Sequence, residues 1–225
     1  FTYERLVNSS SVSSNSTIDG SLFNRGDTVQ CQITPADGNA DGTGATVGST
    51  VLTVSNSLPA YSGAELTPTT AYEADILSCL GTGPSDADGD SVSSTYTWDV
   101  NGITIPSTAG TLTGSFFNKG DTVTCYVTPT DGIDSGAMVT SNPVSISNSP
   151  PTANTPSLSP STAYEASQFL CTWTGGVDID PGDTVSYTFG WKVDGQIIAQ
   201  IGPNLDGTFF DKGNAVRCFA TPTDG

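Results

Sequence analysis

Phe117-Asn118-Lys119-Gly120-Asp121-Thr122-Val123-Thr124-Cys125 recurs twice more in this chain, with substitutions. Upstream it reads Phe23-Asn24-Arg25-Gly26-Asp27-Thr28-Val29-Gln30-Cys31, and downstream Phe210-Asp211-Lys212-Gly213-Asn214-Ala215-Val216-Arg217-Cys218. The three cysteines are spaced by 94 and 93 residues (125 − 31, 218 − 125). Each copy runs on into Thr-Pro-x-Asp-Gly, at 34–38, 128–132 and 221–225. Thr70-Ala71-Tyr72-Glu73-Ala74 returns as Thr162-Ala163-Tyr164-Glu165-Ala166. Trp98, Val100 and Gly102 return 93 positions later as Trp191, Val193 and Gly195. Repetition at one period means one structural unit used several times.

Working outward from the middle copy, residues 76–80 form a short apolar run and 95–100 alternate apolar and polar, as a half-buried strand does. Asn101-Gly102 is a turn. Residues 122–127 alternate again, and a further strand is expected from 138–140 through 144–146, with Pro143 marking an edge or a bulge. No segment carries a 3.6-residue period, so essentially no helix is expected. Composition agrees. Asp outnumbers Glu by 19 to 4, and Asp prefers turns and caps where Glu favours helices.

A period near 93 residues matches one immunoglobulin-like sandwich and is far too long for a leucine-rich or ankyrin repeat. The pattern resembles the immunoglobulin fold at named positions. Cys79, Trp98 and Cys125 stand where that family has its inter-sheet disulfide and packing tryptophan, and Cys171, Trp191 and Cys218 repeat the set. The family's corner tyrosine is absent: Val123, Val29 and Val216 occupy its place, which separates the chain from antibody-like domains. Tyr96-Thr97-Trp98-Asp99-Val100-Asn101-Gly102 also resembles the strand-and-turn signature of polycystic-kidney-disease-type repeats of bacterial and archaeal surface proteins. The expected architecture is all-β, in tandem immunoglobulin-like β-sandwiches of about 93 residues. One complete repeat would span 57–148, flanked by partial copies at 1–56 and 149–225.

That resemblance implies disulfides Cys79–Cys125 and Cys171–Cys218, leaving Cys31 without a partner within the chain. A loop of this size stabilises by roughly 3–4 kcal/mol in the chain-entropy view. Disulfides persist in oxidising compartments, so an extracellular or cell-surface location is expected. A metal-thiolate alternative is poor, as there is no histidine and no Cys-x-x-Cys.

The net charge is −17 with six basic residues, which disfavours nucleic acid and anionic membrane as partners. No apolar run approaches the roughly 18 residues needed to cross a bilayer. The acids cluster in turns. Asp86-Ala87-Asp88-Gly89-Asp90 joins the first two strands of the middle copy, and Asp178-Ile179-Asp180-Pro181-Gly182-Asp183 is its counterpart. Alternating carboxylates suit Ca²⁺, which takes six to eight oxygens. In a sandwich, Asp131 and Asp134 would lie near the first cluster and Asp224 near the second. The arrangement is similar to cadherins, whose acidic residues share Ca²⁺ at domain junctions. That resemblance adds Glu73 and Asp121 from the far end of the middle repeat, facing Asp178 and Asp180 across the linker at 147–151. The competing reading is solvated turns in an acidic protein.

Two further motifs have plainer readings. Arg25-Gly26-Asp27 spells an integrin-binding tripeptide, but Lys119-Gly120-Asp121 and Lys212-Gly213-Asn214 mark it as a structural turn of the repeat. Asn8-Ser9-Ser10 and Asn15-Ser16-Thr17 are glycosylation acceptors by sequence. Without histidine, triads and most general-base chemistry are excluded, so no enzyme is expected. The chain reads as a structural or adhesive segment: a stalk, an adhesin rod or a filament subunit, stiffened by Ca²⁺. Its partners would be neighbouring repeats, other copies of the same protein, or surface glycans and proteins. The alternative is a carbohydrate- or protein-binding module, with Tyr61, Tyr72 and Tyr164 as candidate contacts.

Overall fold

The computed structural model describes residues 1–38, 42 and 44–224. Gly225, the last residue of the third Thr-Pro-x-Asp-Gly segment, lies outside the described residues. All regular elements among the described residues are strands. The first five are β1 (Thr2–Val7), β2 (Ser10–Ser13), β3 (Thr28–Thr34), β4 (Val47–Gly48) and β5 (Leu52–Thr53). They form one sheet in the order β2-β1-β3-β4, with β5 also on β3.

The middle strands are β6 (Gly63–Thr67), β7 (Ala71–Tyr72), β8 (Ile76–Thr82), β9 (Ser93–Val100), β10 (Ile103–Ile105), β11 (Thr111–Thr113), β12 (Thr122–Thr130), β13 (Val139–Thr140) and β14 (Val144–Ser147). One sheet runs β10-β9-β12-β14-β7 with β13 on β12, and the other runs β11-β8-β6. Period-two alternation explains why they stack. In β12 the buried residues are Val123, Cys125, Val127 and Pro129, and in β8 they are Leu77 and Cys79. These meet Leu66, Trp98, Leu112, Phe117, Val144 and Ile146 in one core, and the Cys79–Cys125 disulfide crosses between the sheets.

The last strands are β15 (Thr152–Ala153), β16 (Ser157–Ser159), β17 (Phe169–Thr172), β18 (Gly176–Val177), β19 (Ser186–Val193), β20 (Gln196–Ile201), β21 (Asn204–Leu205) and β22 (Val216–Thr223). Sheets β16-β17-β21 and β20-β19-β22 enclose a second core of Phe169, Cys171, Trp191, Leu205, Phe210 and Cys218, joined by Cys171–Cys218.

Equivalent positions do equivalent work. The indole N–H of Trp98 donates to the carbonyl of Ala109 at 2.8 Å, and that of Trp191 to Gly202 at 2.9 Å, each eleven residues on. Both rings are fully buried, so each N–H needs a partner. The first sheet carries Arg5 at this register, opposite Cys31. Its guanidinium donates to the carbonyl of Ser16, again eleven residues on. Arginine thus reproduces the hydrogen bond of an indole without filling its volume.

One strand runs longer than expected, and the bulge expected at Pro143 is present. β12 continues beyond 127 through Pro129 to Thr130. The proline is tolerated because the ladder to β13 involves Tyr126 and Val127, so the position of the missing N–H lies past its end. The final strand is split. Tyr126 pairs with Thr140 but Val123 pairs with Val144, so one extra residue is inserted around 141–143, a bulge. Buried Ser141 repairs the ladder: its Oγ accepts the Cys125 N–H at 3.1 Å and its N–H donates to the Cys125 carbonyl at 3.0 Å. Ser49 does the same for Cys31, at 3.1 and 2.8 Å. This edge is not bare, since β7 adds to β14 in parallel.

Replacing Ser141 by alanine orphans the Cys125 N–H inside the sandwich, and the expected cost is about 1–3 kcal/mol. Replacing Cys79 and Cys125 together by alanine is expected to cost about 3–4 kcal/mol. Urea unfolding followed by tryptophan fluorescence checks both, and peptide mapping without reductant checks the two disulfide pairings.

Candidate functional site: the acidic ends and the turns that meet them

The segment Asn118-Lys119-Gly120-Asp121 is a tight turn leading into β12. The Asp121 N–H donates to the Asn118 carbonyl at 3.0 Å, and the Asn118 N–H donates back to Asp121 Oδ2 at 2.7 Å. Gly120 has φ +87°, a conformation that a side chain disfavours. Gly26 and Gly213 share it, at +85° and +97°. The turn also grips the final strand, with the Gly120 N–H on the Ile146 carbonyl at 2.9 Å and the Ile146 N–H on the Asp121 carbonyl at 2.8 Å. Its basic side chain is left pointing out of the sandwich.

The loop from β8 to β9 brings one oxygen each of Asp86, Asp88 and Asp90 within 4.8 Å of one another. Asp178, Asp183 and Asp224 form a second such cluster. Each loop is wound around its first aspartate. Asp86 Oδ1 accepts the N–H groups of Asp88 (2.8 Å) and Asp90 (3.4 Å), and Asp178 Oδ1 accepts that of Asp180 (2.8 Å). The other oxygen of each, Asp86 Oδ2 and Asp178 Oδ2, is buried and has no hydrogen-bond partner among the described residues.

The remaining carboxylates meet the preceding turn and linker. Arg25 forms an ion pair with Asp90 and donates to Asn56 Oδ1 at 2.6 Å. Asn56 Nδ2 donates to Asp131 Oδ2 at 2.8 Å and Asp134 Oδ2 at 3.0 Å. The Ser57 N–H donates to Asp88 at 2.7 Å. The second joint repeats this chemistry. Lys119 Nζ lies 2.5 Å from Asp183 Oδ2 and 2.9 Å from Asn148 Oδ1. Asn148 Nδ2 donates to Asp224 at 2.7 Å, and Ser149 donates to buried Asp180 through both N–H (2.6 Å) and Oγ (3.0 Å).

These contacts set the titration. The Asn56 amide, aided by the N–H groups of Asp134 and Ile133, holds Asp131 down at about 2. Asn148 lowers Asp224 in the same way. Lys119 is raised, first by its hydrogen bond to Asp183 and then by the fields of Asp183, Asp180 and Asp224.

Of the acidic residues singled out by sequence, the structure gathers Asp86, Asp88 and Asp90, and separately Asp178, Asp183 and Asp224. Asp131, Asp134 and Asp180 stand beside them, committed to Asn56 and Ser149. Glu73 and Asp121 join neither cluster. Glu73 accepts the Lys119 N–H at 3.3 Å, and Asp121 accepts the Asn101 amide at 2.6 Å. From the same turn, the Lys119 ammonium meets Asp183. What sequence reading missed is the repeated Ser-Asn-Ser of the linkers, Ser55-Asn56-Ser57 and Ser147-Asn148-Ser149, and its pairing with a basic turn.

The smaller motifs also find places. In Arg25-Gly26-Asp27 both charged ends are engaged, Arg25 as above and Asp27 by the Asn24 N–H (2.8 Å) and the Asn8 amide (2.6 Å). Asn8 is the turn residue equivalent to Asn101, and its Nδ2, where a glycan would attach, makes that bond to Asp27. Asn15 is exposed. Cys31 is free and half-buried beside Arg5.

No protein-family model matches the chain, and no curated protein matches it. Among solved structures it is similar to the FN1–FN3 domains of chicken CNTN1, at 8% identity and a TM-score of 0.32, over 99% of this chain and 85% of that one. It is also similar to a structure of a 1.5-MDa bacterial ice-binding adhesin, at 15% identity and a TM-score of 0.27, over 99% and 84%.

Asp131 offers a direct check on the joint. Its folded pKa lies below its unfolded value near 3.9. Its contribution to stability is therefore present above pH ~4 and lost as pH falls toward 2. Carboxyl-detected NMR titration of Asn56→Ala is expected to move Asp131 back up toward the ordinary range.

Proposed function

We propose that this chain is a structural or adhesive segment of a secreted or cell-surface protein, built as tandem immunoglobulin-like sandwiches covering 1–56, 57–148 and 149–225. The observation that carries this reading is the joint. Arg25, Asn56, Ser57, Asp88, Asp90 and Asp131 correspond to Lys119, Asn148, Ser149, Asp180, Asp183 and Asp224, each 92–94 residues on, and both sets make matching contacts. A joint made twice from the same residue types is what an extended array needs. The two disulfides support an oxidising, extracellular setting. Binding chemistry is poorly served. A cavity of about 690 Å³ lies beside Ala163, Phe169, Phe210 and Val216, and in the middle sandwich the counterpart of Ala163, Ala71, is paired with Ile146 of the final strand. The cavity's carboxylate, Glu165, holds the Lys212 N–H at 3.0 Å. The aromatic row Trp173, Tyr187 and Phe189 packs edge to face, at 63° and 76°. Tyr61 is tied to Ser94 at 2.7 Å.

Calcium in the acidic loops is part of this proposal. The donors are hard oxygens, and each cluster contains one buried carboxylate oxygen without a proton donor, at equivalent positions Asp86 and Asp178. A divalent cation held by Asp86, Asp88 and Asp90, or by Asp178, Asp183 and Asp224, would supply charge neutralisation to crowded carboxylates and stiffen the joints.

Two measurements test this. Electron microscopy of the native surface with an antibody to this segment is expected to label rods or filaments. Labelling of a compact free monomer, with a positive glycan array, would favour the binding module instead. Differential scanning calorimetry in EGTA and then in excess Ca²⁺ is expected to show a rise. A hundredfold excess over Kd gives about 2.7 kcal/mol, on the order of 10 °C for a unit this size. Asp86→Asn with Asp178→Asn is expected to abolish it.

A further inference from the structure

We propose that the basic residue of the turn, Arg25 at the first joint and Lys119 at the second, is the cation that sets the angle between neighbouring units, so that the joint closes without a metal. This goes beyond the structural role proposed above and does not rest on the calcium reading. At each joint one charged side chain leaves a turn that is locked from behind. The carbonyl and N–H groups of that turn are tied to the end of its own sandwich, to Val54 at the first joint and Ile146 at the second, and the Lys119 N–H is held by Glu73 as well. The cation therefore projects from a rigid base. It reaches the linker amide oxygen and, in the next unit, the last aspartate of the acidic loop. The same linker asparagine then turns its Nδ2 to the aspartate beyond the last long strand, Asp131 or Asp224. Turn, linker and both loops of the following sandwich are connected through one asparagine. An angle is fixed when several bonds of different direction converge on it, and each joint has at least three. The serine after each asparagine adds a further one, to Asp88 or Asp180.

Charge explains why the chain places its few cations here. Two of six basic residues in a molecule of net charge −17 sit against acidic loops, Arg25 on Asp90 and Lys119 on Asp183. The Lys119 side chain, seated on its neighbour, is 30% exposed. Exposed ion pairs add little to folding stability, so this pair is expected to show itself in geometry and not in melting temperature.

The test is pulsed dipolar spectroscopy on the full chain, with spin labels at exposed Thr104 and Gln196 in a Cys31→Ser background. In EDTA the parent is expected to give one narrow distance distribution. Lys119→Met, which keeps the length and loses the charge, is expected to broaden it at least twofold with the melting temperature unchanged. Lys119→Arg is expected to restore it. The proposal is overturned if Lys119→Met stays narrow in EDTA, if the parent narrows only when Ca²⁺ is added, or if Ca²⁺ alone restores the Lys119→Met distribution.

Discussion

Asp121 ties together three parts of the chain. Its carboxylate closes the turn on the Asn118 N–H and takes the amide of Asn101 from the hairpin between β9 and β10, while its backbone carbonyl accepts the Ile146 N–H. Those bonds start β12 at Thr122, and β12 is the strand on which Val123, Cys125 and Val127 face the core. They also hold the turn stiff while Lys119 extends outward. Asp27 and Asn214 do the same in the other copies, with Asn8 and Asp194 as their hairpin partners. A small polar turn thus serves both the core around β12 and the Lys119–Asp183 contact. Any loosening at Asp121 would be felt both in the start of the central strand and at the joint.

Electrostatics divides the acidic residues into two kinds. Some are wholly occupied by the backbone and by linker side chains, as Asp131 and Asp180 are. These behave as fixed acceptors whose charge is matched by several N–H dipoles. Others, above all Asp86 and Asp178, keep an oxygen turned inward with no donor. The imbalance occurs at two equivalent loops, and in both the last carboxylate of the same cluster, Asp90 or Asp183, is met by a tethered cation, Arg25 or Lys119. A lysine or arginine is anchored to its turn, so its charge carries orientation as well as neutralisation.

The sequence by itself determined the all-β architecture, because the alternation in residues such as Thr122, Val123, Thr124 and Cys125 is a local property of the strand. The spacing of Cys79, Trp98 and Cys125 also carried the packing of one sheet on the other. Turn chemistry was legible for the same reason: Asn-Lys-Gly-Asp needs a positive φ at its glycine wherever it occurs. The extra residue in the final strand was marked by Pro143, though the hydroxyl of Ser141 that repairs the ladder was not. That Arg5 could stand at a tryptophan position was hidden, since the shared feature is a hydrogen bond to a carbonyl eleven residues away and not a resemblance of side chains. Only tertiary structure decided which acids face which cations. Glu73 and Asp121 had the charge for a shared metal, and the fold turned both onto their own turn. Asn56 and Asn148, ordinary linker residues by composition, became the centre of each joint. Carboxylates and amides are interchangeable in a sequence pattern, but a bond 2.7 Å long depends on where two distant loops are held, and that is a property of the packed sandwiches alone.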